Sequence, residues 1–179
     1  MELPDGLIFH TLTVQNLDQV IKVHAKTREN TPKDMIAHDD DEMIADRLGP
    51  SGQGGGIFQG TELVAYALLF LPDTPLDSLA NKLSTPLNGR IAELDGAGVL
   101  HRFRGMGLHR QLNRWRITQA NALDVDHILA TVAPNNLASL SNLLSSGLHA
   151  RAFITLKHSG KRFVMHRPMN GWTGMIAND

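Results

Sequence analysis

The chain has 179 residues, of which 42% are hydrophobic and 20% are charged, and its formal net charge is −1. These values predict one globular domain with an adequate core, and they exclude a strong overall field for nucleic acid or an anionic membrane. Cysteine is absent, which excludes disulfides, thiolate metal sites and cysteine nucleophiles. Met1–His10 lacks the basic and apolar regions of a secretion signal, and the apolar run Leu63–Leu71 is too short to cross a bilayer, so we expect a cytoplasmic protein.

The first third of the chain predicts one strand and two helices. The partly alternating run Leu7–Val14 indicates a strand, and Asn16 precedes a helix that ends near Pro32. The acidic run Asp39–Glu42 is either the solvated start of a second helix or an acidic surface that attracts a cation. Gly49–Gly56, which is rich in glycine, predicts a loop that leads into an edge strand.

The middle of the chain predicts a hairpin and then a central strand. Ile57–Gln59 and Leu63–Phe70 flank a turn and indicate a β-hairpin. Leu71–Asn88 is a long excursion that either folds over a ligand pocket or packs on the surface. Arg90–Val99 predicts the central strand, and a helix from residue 108 ends near Asp124.

The last third predicts a strand, a helix and a closing hairpin. Asp126–Val132 indicates a strand, and the following helix stops at Gly147. Arg151–Lys157 and Arg162–Arg167 predict the hairpin, with a loose tail over 170–179. The order β-α-α-β-β-β-α-β-α-β-β predicts an α/β fold, in which one domain over 1–179 has its core in 7–169 and carries helices on both faces of a mixed sheet.

The most informative stretch is Val99–His109, where the chain leaves the central strand, makes a turn and enters a helix. Unpaired N–H groups and the positive dipole end of a helix attract anions. Gly105 and Gly107 let a phosphate approach the backbone, although a glycine pair after a strand is also compatible with a simple tight turn. Positive charge around this turn comes from Arg102, Arg104 and Arg110.

The helix after this turn has an apolar face and a polar face. Its apolar positions at helical spacing are Leu108, Leu112, Trp115 and Ala122. The pattern predicts that Trp115 lies in the core and that Arg114 and Arg116 are solvated. The P-loop motif is absent, and the third glycine of the dinucleotide fingerprint is missing.

Two blocks of residues carry a resemblance to a known family. Arg104-Gly-Met-Gly107-Leu-His109 resembles the acetyl-CoA-binding motif Arg/Gln-x-x-Gly-x-Gly/Ala of the GNAT N-acetyltransferase superfamily, with His109 in place of the last small residue. Ala133–Leu148 is similar to the strand-Asn-helix-Gly block of that family, in which Asn136 would meet the cofactor. The resemblance extends over most of 7–169.

The resemblance implies an α+β domain with a mixed, mostly antiparallel sheet. It implies an acetyl-CoA-dependent N-acetyltransferase that transfers the acetyl group directly to a small amine or a peptide amine in a ternary complex, and many members of the family form homodimers. The nine histidines are scattered and lack a His-Glu-x-x-His motif, so the sequence itself predicts no metal site. The alternative is a non-catalytic CoA-binding module of the same fold. The cofactor-binding residues would be Val99, Leu100, His101, Arg104, Gly105, Met106, Gly107, Leu108, His109, Arg110, Asn136 and Ser139.

Acetyl transfer needs a base for the amine and donors for the oxyanion. Strand alternation places Glu93, Asp95 and Ala97 on one face, and a half-buried carboxylate there has a raised pKa suited to a base. We expect Glu93 or Asp95 to take this role, with Glu93 preferred, although both can instead pair with a cation. Backbone amides near Val99 and Leu100 would stabilise the oxyanion if the strand splays as in the family.

The acid that protonates the leaving thiolate is missing from its usual place. In the family it is often a tyrosine, and the corresponding position here is Leu143, whereas the single tyrosine of the chain is Tyr66 on a different strand. Three alternatives remain open. Water or a hydroxyl such as that of Ser139 protonates the thiolate, the thiolate leaves without an acid, or the protein has lost catalysis.

Overall fold

The structure is a computed structural model that describes residues 2–37 and 39–169, so the predicted tail over 170–179 lies outside the described residues. The strands are β1 Leu7–Leu12, β2 Gly52–Gln59, β3 Glu62–Phe70, β4 Ile91–Val99, β5 His127–Val132, β6 His149–Leu156 and β7 Gly160–Pro168. The helices are α1 Leu17–Glu29, α2 Asp41–Arg47, α3 Leu108–Ala122 and α4 Leu137–Ser145. The predicted order of strands and helices is confirmed.

The strands form one sheet in the order β1-β2-β3-β4-β5-β7-β6. Every neighbouring pair is antiparallel except β4 and β5, which are parallel. The sheet is therefore mixed and mostly antiparallel, as the resemblance implied.

The parallel pair opens soon after it begins. Its pairing covers only Ile91–Glu93 of β4 and His127–Leu129 of β5. Beyond this point β4 continues to Val99 and β5 continues to Val132. Because the two carboxyl ends are no longer paired with each other, they separate and leave an opening in the middle of the sheet.

A bulge in β4 changes the predicted faces of that strand. Leu94 is opposite Leu69 of β3, but Ala97 is opposite Ala67, so β4 has one residue more than β3 over this interval. An extra residue reverses the alternation beyond it. Ala97 therefore lies on the face of Leu94, and the prediction that it shares the face of Glu93 is wrong.

Most of the glycine-rich segment that was predicted as a loop is strand: residues 49–51 form a turn, and β2 begins at Gly52. Gly54, Gly55 and Gly56 are buried in β2, where they pair with both β1 and β3. A Cβ on Gly55 would lie 2.7 Å from the ring of Trp115, and one on Gly54 would lie 2.5 Å from Leu48. The loop prediction was wrong for residues 52–56, because Trp115 of α3, Leu48 just after α2 and Leu12 of β1 occupy the space that side chains of this strand would fill.

The excursion between β3 and β4 packs on the sheet, which is the second of its two predicted roles. It contains two short 3-10 turns, Pro75–Asp77 and Leu79–Lys82. Buried Ala80 packs with Ile91 of β4 and Leu129 of β5. None of the helices in 2–37 and 39–169 is both long enough and apolar enough to cross a membrane.

The structure confirms most of the apolar face that was predicted for α3. Leu108, Leu112 and Trp115 are buried, whereas Ala122 at the end of the helix is exposed. Arg116 is only 2% exposed, so the prediction that it is solvated is wrong. Its position on the helix faces the sheet, and the side chain reaches hydrogen-bond acceptors there.

Candidate active site

A cleft of about 560 Å³ lies where β4 and β5 separate. One wall is α1 with the segment that follows it, and the other wall is formed by the first turn of α3 and by α4 as far as Leu143. Residues 94 to 99 of β4 form the floor. A ligand in this cleft can therefore contact β4 main-chain groups that β5 does not pair with.

The turn before α3 has the geometry of a backbone anion site. Gly105 and Gly107 have φ values of +82° and +74°, which side-chain-bearing residues rarely adopt. A Cβ on either residue would meet nothing within 4 Å, so the space beside them is open. Gly107 is the N-cap of α3 and gives the helix no side-chain cap. The first amides of α3 thus have no capping oxygen from the residue that precedes them.

The three arginines around the turn have different roles. Arg104 donates to the Asn30 carbonyl oxygen at 3.1 Å and to the Thr31 hydroxyl at 2.9 Å, which fastens the turn to the end of α1. Arg102 forms an ion pair with Glu62 and lies outside the cleft lining. Arg110 is exposed and lines the cleft. Arg110 is therefore the most available guanidinium for an anionic group.

Asn136 has a defined structural role at the start of α4. Its Oδ1 accepts the Ser139 N–H at 3.1 Å, and its Nδ2 donates to the Met35 carbonyl oxygen at 3.3 Å. Asn136 therefore caps α4 and holds the segment before α2 against it. Both Asn136 and Ser139 line the cleft, as their predicted roles require.

The side chain of His109, in the first turn of α3, contacts α4. Asn142 Nδ2 is 3.3 Å from its Nδ1, and an amide N–H donates only to a nitrogen that carries no proton. Burial, helped by the positive charge of Arg116, lowers the pKa of His109 to about 4. The imidazole is therefore neutral near pH 7, and it adds no charge to the anion site.

The predicted cofactor residues divide into two groups. Nine of them line the cleft, namely Val99, Arg104, Gly105, Gly107, Leu108, His109, Arg110, Asn136 and Ser139. The other three, which are Leu100, His101 and Met106, are not part of the lining.

The two amides predicted for an oxyanion differ in availability. The Leu100 N–H donates to the Val64 carbonyl oxygen at 2.9 Å, so it is already paired with β3. Paired and unpaired positions alternate along an antiparallel ladder, which turns the peptide N–H of Val99 away from β3 and towards the opening. Of the two amides, that of Val99 faces the cleft.

Glu93 and Asp95 have different surroundings. Glu93 is 7% exposed, lies outside the cleft lining, and accepts the Leu79 N–H at 2.6 Å. Burial raises its pKa to about 7, although hydrogen bonds from Ser78 and Leu79 act against this. Asp95 lines the cleft, and its Oδ2 accepts a hydrogen bond from Nε of Arg47 at 2.9 Å. The geometry favours Asp95 over Glu93 for contact with a ligand.

The structure brings Asp39, the first residue of the predicted acidic run Asp39–Glu42, into the cleft. The acidic run begins α2: Asp40 caps that helix, with Oδ1 accepting the Met43 N–H at 2.8 Å. A Cβ on Gly96 would lie 3.0 Å from Asp39 Oδ2, so Asp39 is beside the β4 bulge. Asp40, and not Asp39, caps α2, so the start of the helix does not require the carboxylate of Asp39.

The carboxyl group of Asp39 has a strongly raised pKa. Burial is the largest cause, the negative charge of Asp95 adds to it, and the pKa reaches about 7. Arg28 and Arg47 act in the opposite direction. Asp39 therefore exchanges a proton near neutral pH.

Tyr66 is outside the cleft lining. It is fully buried, and its hydroxyl is 2.7 Å from Nδ1 of His24. Leu143, at the position of the family tyrosine, is buried and lines the cleft. Within the described residues, the hydroxyl groups of the cleft lining belong to serines and threonines, namely Thr27, Thr31, Thr131, Ser139 and Ser141.

Solved structures of N-acetyltransferases have a similar fold. The ribosomal-protein-S18-alanine N-acetyltransferase from Escherichia coli has a TM-score of 0.68 and 16% identity, over 93% of this chain and 97% of that chain. NAA60 from Arabidopsis thaliana in complex with acetyl-CoA has a TM-score of 0.73 and 11% identity, over 92% and 99%. A GNAT-family acetyltransferase from Streptococcus pneumoniae has a TM-score of 0.67 and 12% identity, over 91% and 99%.

The sequence matches no protein-family model, and no curated protein is similar to it in sequence. The structural similarity at this level of identity establishes the fold. The chain has a GNAT-like fold, which confirms the fold implied by the two sequence blocks.

Proposed function

We propose that this protein is an N-acetyltransferase that transfers an acetyl group from acetyl-CoA to a primary amine in a ternary complex. The observation that carries the proposal is one continuous cleft, which runs from the glycine turn of α3 along the separated end of β4 to Asp95. An anion site and a carboxylate are thus joined by a strand with outward-facing peptide groups. This arrangement suits an anionic carrier at one end and a cationic acceptor at the other.

The residues of the turn fit the pyrophosphate of CoA. The open space beside Gly105 and Gly107 admits a bulky anion, and the uncapped amides of α3 provide donors for it. Arg110 adds a positive charge at the edge of the cleft. When bound, acetyl-CoA supplies a thioester whose acetyl carbon the amine nitrogen attacks, with CoA leaving as the thiolate.

The chain's own residues would orient and deprotonate the amine. Asp95 binds the acceptor amine through its carboxylate, which Arg47 holds in place through its Nε. A carboxylate of the cleft accepts the proton of the amine, directly or through water. The Val99 N–H, which faces the opening, donates a hydrogen bond to the oxyanion that develops on the acetyl group. Ser139 provides a hydroxyl on the opposite wall for the leaving thiolate.

A non-catalytic CoA-binding module is the second candidate. It is favoured by Leu143, an apolar side chain at the position of the family's acid, and by Tyr66, whose hydroxyl is engaged with His24. A thiolate is a fair leaving group, so the missing acid is compatible with slow catalysis as well as with none. Both candidates require binding of CoA.

The experiment has two stages. Acetyl-CoA should raise the melting temperature, and a ligand present at 100 times its Kd adds about 2.7 kcal/mol to the free energy of unfolding. Thiol release is then measured with a panel of amino acids, polyamines, aminoglycosides and peptides with free N-termini. Release that depends on the amine supports the transferase, binding without release supports the module, and no thermal shift at saturating acetyl-CoA contradicts both.

A further inference from the structure

We propose that Asp39 and Asp95 act as one carboxylate pair that binds the ammonium group of the acceptor and accepts its proton. This inference rests on the proposed function and assigns a second catalytic residue, from the segment before α2, to the same cleft. It limits the acceptor to amines that are cationic at neutral pH, such as alkyl amines and peptide N-termini.

The β4 bulge brings the two carboxylates to the same place. Asp95 is on the bulge, and Gly96 next to it is the residue against which Asp39 packs. A side chain at 96 would lie 3.0 Å from Asp39 Oδ2, which is closer than ordinary van der Waals contact allows. The glycine therefore permits the approach of Asp39 to the strand, and both carboxylates line the cleft.

The charges around the pair leave Asp39 with less compensation than Asp95. Nε of Arg47, from α2, is 2.9 Å from Asp95 Oδ2. The groups whose charges act on Asp39 come from several elements, namely Arg28 of α1, Arg47 and Asp40 at α2, and Asp95 of β4. Despite the two arginines, the pKa of Asp39 is raised to about 7 by burial and by Asp95. An arriving cation would supply the missing positive charge.

A polar atom in the same wall also lacks a partner. The hydroxyl oxygen of Thr27, on α1, is buried and makes no hydrogen bond within the described part of the chain. It faces Gly98, since a Cβ there would lie 2.8 Å from it, and Gly98 is two residues beyond Gly96 on the same strand. Buried polar atoms in proteins nearly always have a partner. An ammonium N–H between Asp39 and Thr27 would provide one.

The proton balance of the step is simple. The acceptor enters as R–NH₃⁺ and transfers one proton to the ionised Asp39, which leaves R–NH₂ and a neutral carboxylic acid. The amine lone pair then attacks the carbonyl carbon of the thioester, the C–S bond breaks, and the second proton lost by the nitrogen goes to the leaving thiolate, so that CoA leaves as the thiol. Asp95, which Arg47 holds in place, accepts hydrogen bonds from the remaining N–H groups of the amine. Asp39 returns the proton to solvent after the product leaves.

The test compares Asp39→Asn with Asp41→Asn, which changes an exposed aspartate in the first turn of α2. With an amine that the wild-type protein acetylates, Asp39→Asn should lower kcat/KM by about 100-fold. This is the lower end of the range of rate losses for removal of a general base. The rise of kcat/KM with pH near 7 should also disappear. Asp41→Asn should match the wild type in rate and in pH profile, and the affinity for acetyl-CoA should be the same in all three proteins.

A measurement without turnover keeps the inference testable if Asp39→Asn does not fold. The side-chain carboxyl carbon of Asp39 is followed by NMR in the wild-type protein as pH is varied, with and without ethylammonium as the probe. A titration midpoint near 7 that moves down when ethylammonium is added supports the pair, because a bound cation favours the ionised form. A midpoint that ethylammonium leaves in place overturns it.

Different results contradict the acetyltransferase activity and the carboxylate pair. Absence of amine-dependent thiol release from the wild-type protein contradicts the proposed function. Release by the wild-type protein together with an unchanged pH profile in Asp39→Asn contradicts only the carboxylate pair.

Discussion

The guanidinium of Arg116 on α3 lies 2.8 Å from the main-chain oxygen of Asp95, and the same nitrogen is 3.0 Å from the main-chain oxygen of Leu68 on β3. These two carbonyls belong to adjacent strands at the β4 bulge, where the ladder between β3 and β4 is interrupted. A buried cation thus satisfies oxygen atoms that the ladder leaves unpaired. Arg116 thereby fixes the backbone from which the Asp95 side chain enters the cleft.

Replacing Arg116 with leucine should destabilise the protein by about 2–4 kcal/mol, because two buried carbonyls would lose their donor. Burial lowers the pKa of Arg116 to about 10, so the guanidinium is still charged at neutral pH and its hydrogen bonds are the strong, charge-assisted kind. Urea unfolding measures the loss. Arg114→Leu, on the exposed face of the same helix, should change stability by no more than about 0.5 kcal/mol. Equal losses in both variants would argue against the role of Arg116 in the bulge.

Gly107→Ala should weaken binding of acetyl-CoA and also lower stability by about 1 kcal/mol, because residue 107 has φ +74°. Gly60→Ala is a matched control, since Gly60 has φ +58°, has open space around it, and lies in the β2–β3 turn away from the cleft. The control should show a similar loss of stability with unchanged binding. Isothermal titration of both variants separates the two effects. If Gly107→Ala binds acetyl-CoA as tightly as Gly60→Ala does, the anion site is elsewhere.

The roles of Glu93 and Asp95 can be separated by turnover. Asp95→Asn should reduce amine-dependent thiol release by about 100-fold, because Asp95 belongs to the carboxylate pair that binds and deprotonates the acceptor amine. Glu93→Gln should stay within a few-fold of the wild type, because Glu93 is outside the cleft lining and its Oε1 is engaged with the Leu79 N–H. The same release assay, run at saturating acetyl-CoA, measures both. The opposite ranking of the two variants would return Glu93 to the role that the sequence favoured.

Glu93 should affect stability in a pH-dependent way. Its pKa rises on folding from 4.5 to about 7, so the folded protein holds a proton that the unfolded chain has already released. The associated stability is fully present below pH 4.5 and is lost as pH rises to about 7. Glu93→Gln keeps an oxygen acceptor for Leu79 and should be more stable than the wild type at pH 8, with little difference at pH 4. Thermal unfolding at the two pH values tests this, and exposed Glu29→Gln is the control. A gain for Glu93→Gln that is equal at both pH values would contradict the shift.

Local patterns predicted much of the fold. Hydrophobic periodicity and the turn residues located the elements along the chain, and two short blocks identified the glycine turn and Asn136. These features depend on neighbouring residues in sequence, such as the φ values of Gly105 and Gly107 and the capping of α4. These features can be predicted from the sequence because the interactions that determine them lie within a few residues of each other along the chain.

The glycines of β2 and the buried Arg116 were not predictable in this way. Gly54–Gly56 are strand because Trp115, Leu48 and Leu12 fill the space beside them, and those residues are distant in sequence. Arg116 is buried because the carbonyls of Leu68 and residue 95 accept its N–H groups. Composition suggested a loop and a solvated side chain, and packing overrode both.

The sequence by itself determined the order of the elements and the turn at Val99–His109, because local dihedral preferences and helix ends are set by adjacent residues. Only the tertiary structure decided which carboxylates face the cleft. The separation of β4 from β5, the bulge at Asp95 and the approach of Asp39 to Gly96 each join segments far apart in the chain. Strand alternation alone predicted Glu93, whereas the excursion that covers Glu93 and the bulge that exposes Asp95 are properties of the packed sheet.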